Sequence, residues 1–208
     1  MSSTKSNDHA NRKLFYIPIV HTEADMGALS ESIKKAYLKK KGLQAWKKKR
    51  EFIERFWKDL ESAVDNLKLP YSRTKVYQDG LPVSDGGKEL EIVKKLASSG
   101  SHNHALVKKL VDNGAILVGT ESPELLMAEY DLAMMTLNGA QESEGQETLK
   151  ARGEEILKKR DGFMAGRIDE TLKQGEIGVL FIGSLHNVVP LLSSDIEVII
   201  PEAAVPRG

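Results

Sequence analysis

The most informative absence in this sequence is cysteine, of which the 208 residues contain none. Without thiols there is no disulfide framework, thiolate zinc site or cysteine nucleophile, and nothing requires an oxidising compartment. Long apolar runs are absent too: none approaches the roughly 18 residues of a membrane-spanning helix, and the polar segment 1–12 lacks a signal-peptide core. We therefore predict a cytoplasmic protein without a transmembrane segment.

An excess of charge of either sign is also lacking, since 30 Lys and Arg residues balance 30 Asp and Glu residues. With no net field to attract polyanions, we expect no specific nucleic-acid binding. Residues 34–50 nevertheless contain nine basic residues and no acidic one, with Tyr37 and Trp46 among them. Such a run fits a solvated helix face or a surface for phosphates, and the zero net charge favours the solvated face.

Glycine is present without the order that phosphate-binding loops need. Neither G-x-G-x-x-G after a strand nor G-x-x-x-x-G-K-[ST] occurs, so nucleotide binding is not supported. The G-x-S-x-G turn that carries the nucleophile of α/β-hydrolases is missing as well.

Short apolar runs predict the strands of a sheet. Their continuous apolarity indicates strands covered on both faces, as in a parallel sheet between helical layers. Four runs have strand length, and a weaker fifth candidate covers 74–78; the four are 14–20, 115–119, 177–183 and 196–200. Pro18 has no amide hydrogen, so the first run fits a bulge or the unpaired side of an edge strand better than a fully bonded central strand.

Helical periodicity fills the sequence between these strands. The pattern predicts a long helical stretch ending at Pro70, a loop at 138–146, and helices over 88–97, 102–112, 123–137 and 147–172. This order predicts a three-layer α/β fold with a mainly parallel sheet of four to five strands, helices on both faces and one long helical insertion. We expect residues 1–12 to form a disordered tail and residues 13–208 a single domain.

Polar side chains that follow the predicted strands indicate a site. His21, Asp79, Glu121 and His186 each come just after a strand, and the carboxyl ends of parallel strands share one rim where ligands bind. Imidazole and carboxylate suit a divalent transition metal that activates water, or general acid–base catalysis without metal. We predict His21, Glu121 and His186 as catalytic groups and metal ligands, and Asp79 as a substrate-binding group.

Structural alternatives exist for three of these residues. Thr22 and Asp25 resemble a capping box, so His21 could simply precede a helix. Glu121 could complement a helix dipole at the surface, and Asp79 precedes Gly80 and could serve a turn. His102 and His104 are two apart on a predicted helix and do not share a face, so we expect hydrogen bonding at the helix start rather than chelation.

Arg160 and Arg167 are the remaining predicted substrate-binding residues. They lie seven positions apart, two turns along one face of a predicted helix. They could bind an anionic substrate group, or hold Glu121 in place. The alternative is a surface ion pair, such as one between Arg160 and Glu155, which contributes little to stability.

Two C-terminal segments resemble a known superfamily. Residues 160–168 read RDGFMAGRI and residues 178–186 read GVLFIGSLH. They resemble the closing region of the TraB, Tiki and ChaN-like superfamily, in which a helix carrying Arg-Asn/Asp-x-x-Met-Ala leads into an apolar strand ending in Gly-x-x-His. His21 is placed like the histidine of the first Gly-x-x-His of that family, with Pro18 where the glycine stands, and Glu121 is placed like its glutamate.

The resemblance implies a fold and a range of activities. Tiki-like members are metal-dependent proteases, ChaN-like members bind haem, and erythromycin esterases of similar fold hydrolyse a lactone. It therefore implies a metal-dependent hydrolase acting on a small molecule or a peptide. The alternative is a non-catalytic or regulatory protein that binds haem or an anionic small molecule.

Overall fold

The computed structural model describes residues 12–22, 24–25, 29–137 and 145–201. Most of the predicted N-terminal tail and of the predicted loop at 138–146 lies outside these ranges. Arg12, which the sequence predicts to belong to that tail, instead begins the first strand. Arg12 is buried at the start of the first strand, where its guanidinium donates to Asp195 at 2.8 and 2.6 Å and to the carbonyl of Asp169 at 2.9 Å.

The sheet has five parallel strands in the order β3-β2-β4-β1-β5. Each predicted strand is present: two have the predicted bounds, and the ends of the other three differ by at most two residues. The strands are β1 (Arg12–Ile19), β2 (Thr74–Gln78), β3 (Ile116–Val118), β4 (Ile177–Gly183) and β5 (Ile196–Ile199). The weakest prediction, β2, occupies an interior position between β3 and β4.

Pro18 lies in β1 opposite Ile182 of β4. On its other side β1 pairs with β5 only from Arg12 to Phe15. At Pro18, β1 therefore has a partner strand on one side only, which is the setting that tolerates a residue without an amide hydrogen.

Helices cover both faces of the sheet, as the sequence predicts. They are α1 (Ser30–Asn66), α2 (Lys88–Ser98), α3 (His102–Asp112), α4 (Pro123–Leu137) and α5 (Gln146–Thr171). The long helix α1 is interrupted at Gly42, whose φ of 82° is in the left-handed region. Glycine adopts this conformation without a Cβ clash, so the chain bends there.

Alternating side chains of the strands form two cores. On one face Ile17, Val179 and Phe181 pack with α1, α2 and α3. On the other face Leu180 and Ile182 pack mainly with α5. A third, small cluster joins α4 to α5. Both sheet faces are therefore covered, as the continuous apolar strands require.

The carboxyl ends of β1, β2 and β4 lie side by side at one edge of the sheet, because these strands are parallel neighbours. Within the described ranges, no helix combines the length and the apolarity needed to cross a lipid bilayer.

Candidate functional site

Asp79 is the centre of a buried polar cluster at this edge of the sheet. It follows β2 directly, in a turn closed by the hydrogen bond from Leu81 N–H to the Gln78 carbonyl at 3.2 Å. Its Oδ2 lies 2.9 Å from His21 Nε2, and its Oδ1 lies 3.3 Å from His186 Nε2. Asp79 therefore lies in the turn that the sequence indicates, and its carboxylate also contacts both histidines.

Gly183, the last residue of β4, brings the backbone close to this cluster. Its N–H donates to Asp79 Oδ2 at 2.9 Å. A Cβ at this position would lie 2.9 Å from His21 Nε2, nearer than real Cβ atoms approach, and 3.0 Å from Asp79 Oδ2, a tight contact. Glycine at position 183 therefore allows the side chains of His21 and Asp79 to pack closely against the end of β4.

Arg160 joins the carboxylates of the cluster from α5. Its Nη2 donates to Asp79 Oδ1 at 2.8 Å and to Glu121 Oε1 at 2.6 Å, and its Nε donates to Glu121 Oε2 at 3.2 Å. Its Nη1 donates to Glu129 of α4 at 2.7 Å. Glu121 is fully buried, so the surface-dipole interpretation of this residue is wrong. Arg160 is buried as well, and Glu155 pairs with Lys159 instead.

His186 is held by Asp161, the residue that follows Arg160 on α5. Its Nδ1 lies 2.6 Å from Asp161 Oδ1, and Asp161 Oδ2 accepts from the backbone N–H of Asn187 at 3.0 Å. A carboxylate on Nδ1 fixes the ring and directs Nε2 toward Asp79. His186 therefore has a carboxylate at each ring nitrogen.

The ionisation of these groups follows from their contacts. Burial alone would raise the pKa of Asp79, but its hydrogen bonds to His186 and His21 hold that pKa well below its usual range. Burial would lower the pKa of both histidines, yet their hydrogen bonds to Asp79 raise the pKa of His21 and of His186 overall. The two rings thus bind protons more tightly than free histidine does.

Glu121 behaves differently from Asp79. Burial raises its pKa, and Arg160 only partly offsets that effect. The pKa of Arg160 is raised despite burial, because Glu121 and Asp79 stabilise its positive charge.

Five of the six predicted site residues meet in this cluster: His21, Asp79, Glu121, Arg160 and His186. Arg160 holds Glu121, which is one of the two roles considered for it. Arg167 lies apart, where it donates to the Gly119 carbonyl at 3.4 Å and to Glu170 at 3.0 Å. Glu170 is three residues further along α5, so this contact is a surface ion pair.

Asp161 and Glu129 also belong to the cluster, but helical periodicity gives no signal for either residue. Adjacent helix positions point about 100° apart, so a helical pattern does not indicate that Arg160 and Asp161 serve one site. Glu129 is half-exposed and looks like an ordinary surface acid of α4. The motif that contains Arg160 and Asp161 is the signal that joins them.

A second polar cluster holds the segment after β1. Asp25 accepts from Thr22 N–H at 2.6 Å and from Thr22 Oγ1 at 3.0 Å, which is the capping-type pair that the sequence indicates. Asp25 also contacts Ser101 and lies 3.5 Å from His104 Nδ1. Ser101 caps α3 by accepting from His104 N–H at 3.1 Å, as expected for a helix start. These contacts tie the chain beside His21 to α3.

Asp79, Glu121 and His186 form a group that could hold a metal ion. Each offers one ligand atom, and these atoms all lie within 4.8 Å of one another. Carboxylate and imidazole suit divalent transition metals, and a second carboxylate on the far nitrogen of the histidine is the usual support of such a ligand. The donor set therefore fits a metal. His21, a predicted ligand, binds Asp79 rather than joining this group.

Comparisons with protein-family models, curated protein sequences and solved structures found no match to this chain.

Proposed function

We propose that the polar cluster around Asp79 is the active site of a metal-dependent hydrolase. Asp79, Glu121 and His186 would hold a divalent transition metal, and His21 would act as the general base. When bound, the ion supplies a Lewis acid that lowers the pKa of a coordinated water. The other roles in the reaction belong to the side chains of the cluster.

The observation that carries this proposal is His186 between two carboxylates. With Nδ1–H donated to Asp161, Nε2 faces Asp79 either as a second N–H or as a lone pair. A lone pair beside a carboxylate oxygen is repulsive unless a cation lies between them. A metal ion held by Asp79 and His186 would supply that cation, so the orientation of the ring suits a metal ligand.

His21 and Asp79 form a pair in which the carboxylate orients the imidazole as a general base. Asp79 Oδ2 accepts from His21 Nε2, which leaves Nδ1 as the nitrogen that takes up a proton. The raised pKa of His21 makes it a stronger base than free imidazole. His21 is partly exposed and lines the crevice, so it can exchange protons with water and substrate.

Arg160 balances the negative charge of Asp79 and Glu121 and fixes both carboxylates from α5. It acts as a positioning residue, because its nitrogens bond to protein carboxylates. Fixed ligands need no reorganisation during the reaction, which favours catalysis.

Membership of the TraB, Tiki and ChaN-like superfamily is part of the proposal. It is supported by the roles of the motif residues, since Arg160, Asp161 and His186 all contribute to the cluster. The alternative of a non-catalytic binding protein is favoured by one observation, a cavity of about 700 Å³ beside the cluster.

The test is metal binding combined with turnover. Purified protein is stripped with a chelator and titrated with Mn²⁺, Zn²⁺ and Fe²⁺, and each form is assayed on ester, peptide and phosphate substrates. We expect one ion per chain and metal-dependent hydrolysis, with both lost in Asp79→Asn and His186→Ala. Haem addition, followed by its absorption band, tests the binding alternative in the same samples.

A matched control is His102→Ala. His102 is a histidine of α3 that lies 3.3 Å from Glu54, outside the cluster. This variant should bind metal and turn over substrate as the parent does. Unchanged activity in His186→Ala, or metal binding lost equally in His102→Ala, would contradict the proposal.

A further inference from the structure

The polar cluster lines only part of its cavity, which we call the polar end. His21, Asp79, Arg160 and His186 line this part, and Asp25 and His104 also belong to the wall. Most of the remaining wall is apolar and comes from α1, α2, α4 and α5 together with the short turn before α1. The apolar lining includes Leu29, Ile33, Leu96, Leu126, Ala133 and Leu157.

A second, mainly apolar cavity of about 370 Å³ lies beside this one. The two cavities share Leu29, Ile33, Glu129 and Ala133 in their walls. Beyond the shared residues the second cavity runs between α4 and α5, along Leu132 and Ile156. The two cavities are therefore adjacent, and we call their mainly apolar space, from the polar cluster toward the α4–α5 pair, the apolar channel.

The charges of the site indicate what the polar end accepts. Nε, Nη1 and Nη2 of Arg160 all donate to protein carboxylates, so this guanidinium is already engaged and does not serve as an anion receptor. Glu129 is the charged residue common to both cavities, and it too is engaged by Arg160. Asp79 and Glu129 of the wall already accept from Arg160, so an anionic headgroup finds no unengaged guanidinium here, whereas an uncharged group needs none.

We propose that the substrate is an uncharged carboxylic ester whose acyl chain lies in the apolar channel. This inference rests on the proposed hydrolase function. In the reaction the oxygen of water bonds to the acyl carbon and the bond from that carbon to the alkoxy oxygen breaks. One water proton goes to the leaving alcohol, and the carboxylic acid product releases the other to solvent as it ionises.

The chain-length dependence of hydrolysis tests this inference. The metal-loaded protein is assayed on p-nitrophenyl acetate, butyrate and octanoate, which share one leaving group. Each buried methylene should raise kcat/KM about fourfold, giving about 200-fold from butyrate to octanoate. Ala133→Phe, at the wall shared by the two cavities, should abolish most of that gain.

The matched control is Ala151→Phe, an exposed position of α5 outside both cavities. It should keep the chain-length gain of the parent. Thermal melts show whether each variant is folded. Binding of the neutral dye Nile red, and its displacement by octan-1-ol, measures occupancy of the channel without any reaction. Octan-1-ol should displace the dye from the parent and from Ala151→Phe, and the dye should bind poorly to Ala133→Phe.

The outcomes separate the two proposals. Ester turnover with no dependence on chain length overturns the acyl channel and leaves the hydrolase standing. No turnover of any ester overturns the ester substrate; dye displacement that Ala133→Phe removes then supports the channel alone. A parent that binds neither dye nor octan-1-ol overturns the channel, whatever its activity. If Ala133→Phe is unfolded, the parent's chain-length profile decides.

Discussion

Arg160 and Asp161 are neighbours in the sequence, yet they hold two different members of one cluster. Arg160 Nη2 lies 2.8 Å from Asp79 Oδ1, and Asp161 Oδ1 lies 2.6 Å from His186 Nδ1. A single turn of α5 therefore positions side chains that follow two different strands. Any shift of this turn moves the Asp79 and His186 contacts together.

Replacing Arg160 should destabilise the protein strongly. Arg160→Met leaves Asp79 and Glu121 as buried carboxylates without their cation, which typically costs about 3–5 kcal/mol. Urea unfolding measures the loss, and Arg152→Met, an exposed arginine of the same helix, is the control. Because a divalent ion can balance the same carboxylates, added metal should raise the melting temperature of Arg160→Met more than that of the parent. An equal rise in both proteins would contradict this.

Metal binding should release a proton and tighten as pH rises. The pKa of His186 is raised because its hydrogen bonds to Asp79 and Asp161 outweigh the effect of burial, while a metal ligand must be neutral. Below the raised pKa the ion displaces a proton, and above it no proton remains to be displaced. Calorimetric titration with Zn²⁺ in two buffers of different ionisation enthalpy counts the protons. Proton release that does not change with pH would contradict the assignment of His186 as a ligand.

Asp25 should stabilise the fold in a pH-dependent way. Burial would raise its pKa, but hydrogen bonds from His104, Ser101 and Thr22 lower it overall. The stabilisation is therefore present above the ordinary pKa of 3.8 and is lost as pH falls through the lowered value.

Asp25→Asn should consequently cost about 2 kcal/mol in urea unfolding near neutral pH. The difference from the parent should shrink as pH falls below about 4. Asp131→Asn, an exposed residue of α4, is the control and should show no such trend. A difference that grows in acid would show that Asp25 does not stabilise the fold through its charge.

The basic run of α1 is largely a solvated surface. Lys47 and Lys48 are exposed, whereas Lys49 Nζ lies 4.9 Å from the centre of the Tyr37 ring and 5.7 Å from that of Trp46. Lys47→Glu with Lys48→Glu should change the free energy of unfolding by no more than about 0.5 kcal/mol per site. Lys49→Glu should lower the free energy of unfolding by a further ~0.5–1 kcal/mol, because it removes a cation–π contact. Salt-sensitive binding of the parent to RNA, lost in the double variant, would contradict the solvated-surface interpretation.

The sequence predicts most of the fold because most of the strands are short, continuous runs of mainly apolar residues. The apolar run at 177–183 has the same bounds as β4. The Ser-Pro-Glu segment predicts that α4 begins at Pro123, as it does. The same strand prediction identifies the polar residues that come just after the strands. His21, Asp79, Glu121 and His186 meet because parallel strands end at one edge.

Other features depend on contacts that local sequence does not encode. The pairing of β1 with β4 joins segments about 160 residues apart, so the adjacency of His21 and His186 needs the strand order. Asp79 looks like a turn residue because Gly80 follows it, and that turn hides its central position. Asp25 looks like a capping residue, and its contact with Ser101 spans 76 positions.

The position of β4 between β2 and β1 has a consequence for how the chain folds during synthesis. Both neighbours are made long before it, so until residue 183 has emerged β1 and β2 each lack the strand that later separates them. Unpaired strand edges favour pairing with other chains, and pairings between distant segments form slowly. Fragments that end before Ile177 should therefore aggregate, and a ribosome-bound chain would depend on chaperones up to that point.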